Sequence, residues 1–528
     1  MNTPTRRQLI QTGAGAFLGA TCATAAPTHR NLLFIMTDQQ RWDALTCAGN
    51  PYVSTPNLDR LAREGALFER AYTPCPVCVP ARASILTGHS TQTTGIRSNR
   101  DIDRDDLITM PSFDQVLASN QYKTEYYGKW HTPIRLADCY QNPVTAAGVK
   151  LENRPGPGLS QHYRDWLDAR VPDRPLKPGE LRDNGWTHKP YCPDPLDIRY
   201  GLQEGDTPRD AQGKSIRVVQ PDYYGCLDIP PECTHVAQVT DETIDALQRL
   251  KDGPFSITCS WHHPHAPMTL PRPWYGMVPP DEIPPPATID DSMDNSPYAA
   301  IAQNMQRYRN PDTIGFMQSA YFGLINEIDA HVGKILDTLD TLGLTDNTLV
   351  VFTSDHGEML GAHGMREKNV FYEESAHIPL IMRLPGEIPA SITRTNPVTQ
   401  VHLFNTILDY LQQPDTTAEG QSLRSLINDE NADGFNTAVC EWGNRKVPNF
   451  MITDGTWKLM IAREPDSPNI DALYNLVEDP MELQNLIGRN PRRSQWLPRA
   501  EQLKEQLIAW LETTQSRFLE GVKTRTIT

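Results

Sequence analysis

Three short apolar runs end in polar, reactive residues, and they constrain the fold of this chain more than any other feature. Asn31–Asp38 (NLLFIMTD) finishes on a carboxylate, Thr348–Asp355 (TLVVFTSD) repeats the form, and Phe255–Ser260 (FSITCS) runs into His262, His263 and His265. An uninterrupted apolar strand does not suit a sheet with one wet face. It belongs in a parallel sheet that helices cover on both sides. In such sheets ligands gather beyond the carboxyl ends of the strands, where these polar residues fall. The helical punctuation agrees. Thr55-Pro56 predicts the N-cap and first turn of a helix over Asn57–Phe68. Residues 319–342 place Tyr321, Leu324, Ile325, Ile328, Val332, Ile335, Leu336 and Leu339 on one helical stripe. The expected fold is α/β: a large doubly wound, mixed and mostly parallel sheet flanked by helices, over roughly residues 28–410.

Two segments depart from that pattern. Residues 137–235 are rich in Pro and Gly with scattered Trp, Tyr, Arg and His, which reads as an irregular insertion on the substrate side; Pro264–Pro297 is a second Pro-rich connector. After Gly434 come strand-like pieces at Asn449–Thr453 and Trp457–Ala462, a turn at Glu478-Asp479-Pro480, and a helix near Trp496–Thr513. They predict a small C-terminal α+β subdomain over 435–515.

Residues 1–26 (MNTPTRRQLIQTGAGAFLGATCATAA) carry Arg6 and Arg7, a weakly apolar segment and the small residues Ala23 and Ala25. That layout is a bacterial twin-arginine export signal, so a periplasmic or secreted protein is expected. The route exports folded chains, so modification and metal loading can finish in the cytoplasm. No stretch is apolar over the ~18 residues that a membrane span needs. A net charge of −16 argues against capture of nucleic acid. Ten cysteines in 528 residues exclude a disulfide scaffold. Cys22 lies in the signal, the remainder is odd, and a pair such as Cys226 with Cys233 stays open.

Cys78-Val79-Pro80-Ala81-Arg82 leads into Ala83–Gly88, and Pro80 suits a first helical turn. Cys78 is therefore expected at a helix N-terminus, where backbone N–H groups and the helix dipole favour an anion. Arg82, one turn on, projects on the same side. With Cys75 the motif also forms Cys-x-x-Cys, but no second such pair or spaced His completes a zinc site, and no thioredoxin-like strand precedes it. Taken singly, Asp38 or Asp355 would most often be an N-cap, and Lys129 or Lys368 a solvated charge. The ordered set is what carries information.

That set resembles the formylglycine-dependent sulfatases of the alkaline phosphatase superfamily. The resemblance rests on Asp38, Cys78–Arg82 with Leu86-Thr87-Gly88, Gly128-Lys129-Trp130-His131, and His262-His263-Pro264-His265-Ala266-Pro267. It continues through Ser354-Asp355-His356-Gly357-Glu358, Lys368, Tyr372-Glu373-Glu374-Ser375, and Leu473-Tyr474-Asn475-Leu476 with Glu478-Asp479-Pro480. It implies that a formylglycine-generating enzyme converts Cys78 to formylglycine before export. The hydrated aldehyde would attack sulfur and later expel sulfate, an exit that a serine ester lacks. It further implies a divalent cation held by Asp38, Gln39, Asp355, His356 and the group at Cys78. Gln39 stands where many sulfatases have a second aspartate, so it would ligate without adding charge. Oxygen-rich ligation suits calcium, with manganese or magnesium open. Arg82 would hold the nucleophile, and Lys129, His265 and Lys368 would bind the sulfate. His131 is the implied base for elimination, and His265 the acid for the leaving oxygen, with Lys368 as its rival.

The expected activity is hydrolysis of sulfate esters, exo-acting on sulfated sugars. The acidic surface would repel a polysulfated chain at long range, which favours a pocket for a terminal residue. Trp166, Trp186, His188, Arg199 and Tyr200 of the insertion are candidate sugar contacts. Phosphonate monoester and phosphodiester hydrolases share the nucleophile and the Asp-Gln and Asp-His pairs, and form one alternative. A sulfated-glycan-binding protein without turnover, in which Cys78 stays a thiol, is the other.

Overall fold

The computed structural model describes residues 29–135, 166, 230–266, 268–414 and 418–528, together with the backbone of 224–227. Its central sheet has seven strands: β1 (Asn31–Asp38), β2 (Ala66–Phe68), β3 (Lys123–Gly128), β4 (Phe255–Pro264), β5 (Thr348–Ser354), β6 (Leu380–Arg383) and β7 (Ile392–Arg394). They lie in the order β7-β2-β6-β5-β1-β4-β3. β3, β4, β1 and β5 pair in parallel, β6 runs antiparallel to both β5 and β2, and β7 is parallel to β2. The sheet is thus mixed and mostly parallel, as the apolar runs imply.

Side chains along β1 explain why those runs are continuous. Leu32, Phe34 and Met36 enter one core, while Leu33 and Ile35 enter the other, so neither face meets water. The helices that bury the two faces are α1 (Pro56–Arg63), α2 (Cys78–Thr87), α3 (Phe113–Ser119), α4 (His235–Leu250), α5 (Pro311–Leu342) and α6 (Leu403–Tyr410). Helices α2, α3 and α6 line the first core; α1, α4 and α5 line the second. All eight stripe residues of α5 are fully buried. Ile328–Leu339 press on the sheet, whereas Tyr321, Leu324 and Ile325 form a separate core with Met268 and Leu270.

The helix expected over Asn57–Phe68 stops at Arg63, and Ala66–Phe68 is a strand instead. Gly65 accounts for the change: a Cβ there would stand 2.1 Å from the Met382 carbonyl oxygen, so the bare backbone passes β6 and pairs with it. Thr55 occupies the N-cap position but makes no capping bond through its side chain. Asp329 of α5 does that work, accepting the N–H groups of Asn57 (3.1 Å) and Leu58 (2.8 Å). The connector Pro264–Pro297 is also less irregular than expected, since Met268–Pro271 is a strand paired in parallel with 224–227.

The C-terminal part is a four-stranded antiparallel sheet, β8 (Ala438–Glu441), β9 (Phe450–Thr453), β10 (Trp457–Ile461) and β11 (Ala472–Asn475), followed by α7 (Leu497–Thr513). Its strands alternate. Phe450, Ile452, Leu459 and Leu473 meet Leu503, Leu507 and Leu511 of α7, while Met451, Met460 and Tyr474 meet Phe371 and Tyr372 of the main body. A buried ion network fastens the same junction, with Lys458 contacting Glu373 and, at 2.9 Å, Glu482. Among the described residues no helix is long and apolar enough to cross a membrane. Residues 1–26 and most of 137–235 lie outside the described residues, as do the side chain of Cys226 and the candidate contacts Trp186, His188, Arg199 and Tyr200. Trp166 is half-buried in helical backbone.

Candidate active site

The parallel register of β1 and β5 pairs Thr37 with Ser354, which brings Asp38 and Asp355 out side by side at the carboxyl end of the sheet. Gln39 then leaves the strand with φ 70°, and its backbone N–H donates to Asp355 Oδ1 at 3.1 Å. Cys78 is the first residue of α2, so its Sγ sits at the positive end of a helix. That sulfur lies 3.0 Å from His356 Nε2 and 4.0 Å from Asp38 Oδ1. The ligating atoms of Asp38, Cys78, Asp355 and His356 all fall within 4.8 Å of one another, and all four residues are buried.

A second group of residues comes from β3 and β4. Gly128 closes β3 at φ 91°, where a Cβ would stand 1.9 Å from the Ser260 carbonyl oxygen. This close approach lets Lys129 N–H donate to that oxygen (2.7 Å) and turns the Lys129 ammonium onto Asp38. Arg82 is fully buried beneath them. Its Nε donates to Asp355 Oδ2 (2.7 Å), and Nη1 donates to Lys129 O (2.7 Å) and Ser260 Oγ (3.0 Å). Nη2 has no hydrogen-bond partner and lies 4.0 Å from Asp38 Oδ2, a buried donor left unused.

Hydrogen bonds settle which atoms face inward. The Gly357 carbonyl can only accept, so His356 Nδ1 donates to it (3.0 Å) and the ring is held with Nε2 toward Cys78. Gln39 is fixed the same way. Its Nε2 donates to Glu358 Oε2, while Oε1 accepts from Lys368 Nζ (2.5 Å). A carboxylate only accepts and an ammonium only donates, so the amide oxygen must face the site. Glu358 also accepts from the backbone N–H groups of Leu360 (3.0 Å) and Glu367 (2.5 Å). The sequence motif contains Glu358, but its spacing gives no sign of this task.

On the other rim, His265 Nδ1 donates to its neighbour's carbonyl at Ala266 (2.7 Å), so Nε2 accepts from Lys368 Nζ (3.0 Å). His262 and His263 are buried, and the His262 ring packs 4.7 Å from that of His265. His131 adopts φ 48°, and its Nδ1 is buried without a hydrogen-bond partner.

The charges act on one another. Burial opposes ionisation of Asp38, yet Lys129 above all, with Lys368, holds its carboxyl well below the usual range. Burial and Asp38 likewise push the Cys78 thiol up, but Lys129, Lys368 and His356 outweigh them and bring it down. Burial, with Lys129 and Arg82, keeps His131 neutral. Burial, with Lys368, does the same for His265. Lys368 rises despite burial, because Cys78 and Asp38 face it. The site is therefore a pocket of three buried cations around two carboxylates, with two neutral imidazoles at its rim.

Residues 30–413 match the sequence profile of the sulfatases, and residues 361–512 match that of the N-sulphoglucosamine sulphohydrolase C-terminal region. The chain belongs to the sulfatase family. It is an enzyme of the sulfuric ester hydrolase class. It is similar to an arylsulfatase of Clostridium perfringens, with 27% identity over 93% of this chain and 96% of the relative. The N-acetylglucosamine-6-O-sulfatase of Bacteroides thetaiotaomicron is 25% identical over 93% of this chain and 87% of its own. Among solved structures, the phosphonate monoester hydrolase of Agrobacterium radiobacter shares the fold, with a TM-score of 0.72 at 22% identity over 92% of this chain and 96% of that one.

Proposed function

We propose that this sulfatase removes sulfate from sugars, working on a terminal residue, with Cys78 converted to formylglycine and a divalent cation, calcium first, bound beside it. The observation that carries the reading is the buried cluster of Asp38, Cys78, Asp355 and His356 ringed by Arg82, Lys129 and Lys368. The donor set fits such a cation: two carboxylates, an amide oxygen turned inward by Glu358, and an imidazole nitrogen turned inward by Gly357. The unpartnered Nη2 of Arg82 fits an oxygen-bearing group at Cys78, whose Sγ marks the place of the nucleophilic oxygen. When bound, the cation and the hydrated aldehyde together supply a nucleophile at neutral pH and a way to release sulfate.

The chain's own residues do the rest. Lys129 and Lys368 neutralise the sulfate oxygens, whose charge would otherwise repel an anionic nucleophile. Neutral His131 has a free ring nitrogen to take the proton that elimination releases. At the leaving oxygen, His265 and Lys368 act as one unit, because the proton lies on Lys368 and is shared with His265 Nε2. Sugar binding draws on the N-acetylglucosamine-6-O-sulfatase relative, and the terminal mode on the acidic surface. Export of the folded chain follows the twin-arginine pattern of residues 1–26, after modification by a formylglycine-generating enzyme.

Phosphonate monoester hydrolysis is the second reading, favoured by the uncharged Gln39 beside Asp38 and by the shared fold. Comparing kcat/KM for an aryl sulfate and a phenyl phosphonate monoester separates the two. His265→Ala tests the acid. General acids contribute ~10²–10⁴-fold, so turnover of a sugar sulfate should fall by about that much while 4-nitrophenyl sulfate, whose leaving group needs no proton, falls little. Equal losses on both would remove His265 from the acid.

A further inference from the structure

A charged cluster outside the catalytic pocket has no part in the chemistry above. The guanidinium carbons of Arg97, Arg463 and Arg517 lie 5.8, 4.7 and 4.7 Å from the centroid of one ring, that of Phe518. Three like charges meet there in a chain whose net charge is −16. Their counter-charges are few. Arg463 pairs with Glu464 at 2.6 Å, but among the described residues no carboxylate lies within ion-pair distance of Arg97 or Arg517. The two carboxylates facing Arg97 are already engaged: Asp101 accepts the backbone N–H groups of Arg97 and Ser98 (2.9 Å each), and Glu441 accepts that of Thr91 (2.9 Å). Arg97 Nε is buried without a hydrogen-bond partner. Burial, with Arg517 and Arg463, pulls the Arg97 pKa down, which marks the mutual repulsion.

The cluster also has a meaningful place in the fold. Ile96 packs on Val79 and Ala83 of α2, and Asn99 Oδ1 accepts the N–H of Val79 (3.1 Å), the residue after the nucleophile. Arg97 is two residues from Asn99, a reach of about 7 Å at most. Arg463 and Arg517 come from the C-terminal part, where Gly443 rests on Arg97 so closely that a Cβ would stand 2.9 Å from Arg97 Cβ. Arg517 is exposed and Arg97 half-buried, while Arg463 is buried, so the cluster reaches solvent through Arg517 and part of Arg97.

We propose that Arg97, Arg463 and Arg517 form an anion subsite that holds a second negative group, a sulfate or a carboxylate, of the sugar whose ester is cleaved at Cys78. Guanidinium forks match both groups in two-pronged fashion; Arg97 and Arg517, which have no carboxylate within ion-pair distance, can offer them, and the buried Arg463 adds its charge beside them. The subsite solves a problem posed by the acidic surface, since it gives a local attractive charge to a multiply charged sugar that the whole molecule repels. The inference rests on the sulfated-sugar reading above and extends it to substrates carrying at least two anionic groups.

The test compares two probes on the full chain, a heparin-derived hexasaccharide and 4-nitrophenyl sulfate. Binding of the first is followed by calorimetry on Cys78→Ala protein, and the KM of the second is measured on converted enzyme. In Arg517→Gln, whose exposed side chain leaves the core intact, the preference for the hexasaccharide over the aryl sulfate should fall at least tenfold, and its salt dependence should flatten. Arg97→Gln should act in the same direction. An unchanged preference in both variants would overturn the subsite and leave the arginines as packing around Phe518. So would parallel losses on both probes without a change in melting temperature. The sulfatase reading fails by a different sign: wild-type protein carrying formylglycine that turns over no aryl sulfate.

Discussion

Glu358 makes the most revealing single perturbation, because it touches Gln39 and two backbone amides but none of the reacting groups. Its carboxylate accepts three N–H donors in a fully buried setting: Gln39 Nε2, Leu360 N and Glu367 N. Glu358→Gln keeps the shape but leaves one oxygen, and its new amide N–H₂ faces one of those donors. One buried donor then loses its acceptor, a cost of ~1–3 kcal/mol. The second effect is on orientation. The inward position of Gln39 Oε1 follows from a carboxylate on one side and an ammonium on the other. With an amide at 358 that constraint is lost, and a flipped Gln39 would present N–H to the cation site. Partners of this kind are worth ~10–100-fold in metal affinity. Calorimetric calcium titration of metal-stripped protein should therefore show a weakening of about that size, alongside a melting temperature lower by a few degrees. Glu358→Asp, which keeps the charge, should recover part of the affinity. Protein in which Glu358→Gln lowers the melting point yet binds calcium as tightly as wild type would refute the orienting role.

Two further outcomes follow from backbone and burial. Gly128→Ala adds a Cβ where φ is 91° and the Ser260 carbonyl is 1.9 Å away, so the turn that aims Lys129 must shift. Thermal melts should show a loss of ~2–4 kcal/mol, with kcat/KM falling more than the loss of folded protein explains. Glu327 is fully buried in α5, where it accepts a hydrogen bond from Thr234 (2.7 Å), and burial pushes its carboxyl up to about 7 against an ordinary 4.5. The folded state then keeps a proton that the unfolded chain has released. That contribution is complete below pH 4.5 and is lost as pH rises through 7, up to about 3 kcal/mol in all. Glu327→Gln should gain on wild type in denaturant titrations at pH 8 relative to pH 5; a pH-independent difference would remove Glu327 from the account.

Much of this architecture is legible in the sequence because its strands are buried on both faces and carry the same apolar signature from end to end. The long stripe of α5 and the placement of Cys78 at the start of α2 follow equally from local pattern. What local pattern misses is set by partners distant in sequence. Ala66–Phe68 is a strand because Gly65 lets the chain run beside β6, and nothing within the helix-like run from Asn57 announces that neighbour. Asp329 caps α1 from 272 residues away. In the site, the motifs supply the reactive side chains and even contain Gly357 and Glu358, but their spacing does not show that these aim His356 and Gln39, nor that Ser260 holds Arg82. The arginines around Phe518 come from three separate stretches and leave no motif at all.

The central claim is that Cys78 is the precursor of the nucleophile. Peptide mass spectrometry of the protein purified from its native host tests it most directly. The peptide spanning Cys78 should be lighter than its encoded mass by about 18 Da, the thiol-to-aldehyde change of an activated nucleophile of this kind. An intact thiol in metal-loaded protein that still hydrolyses sulfate esters would contradict the account.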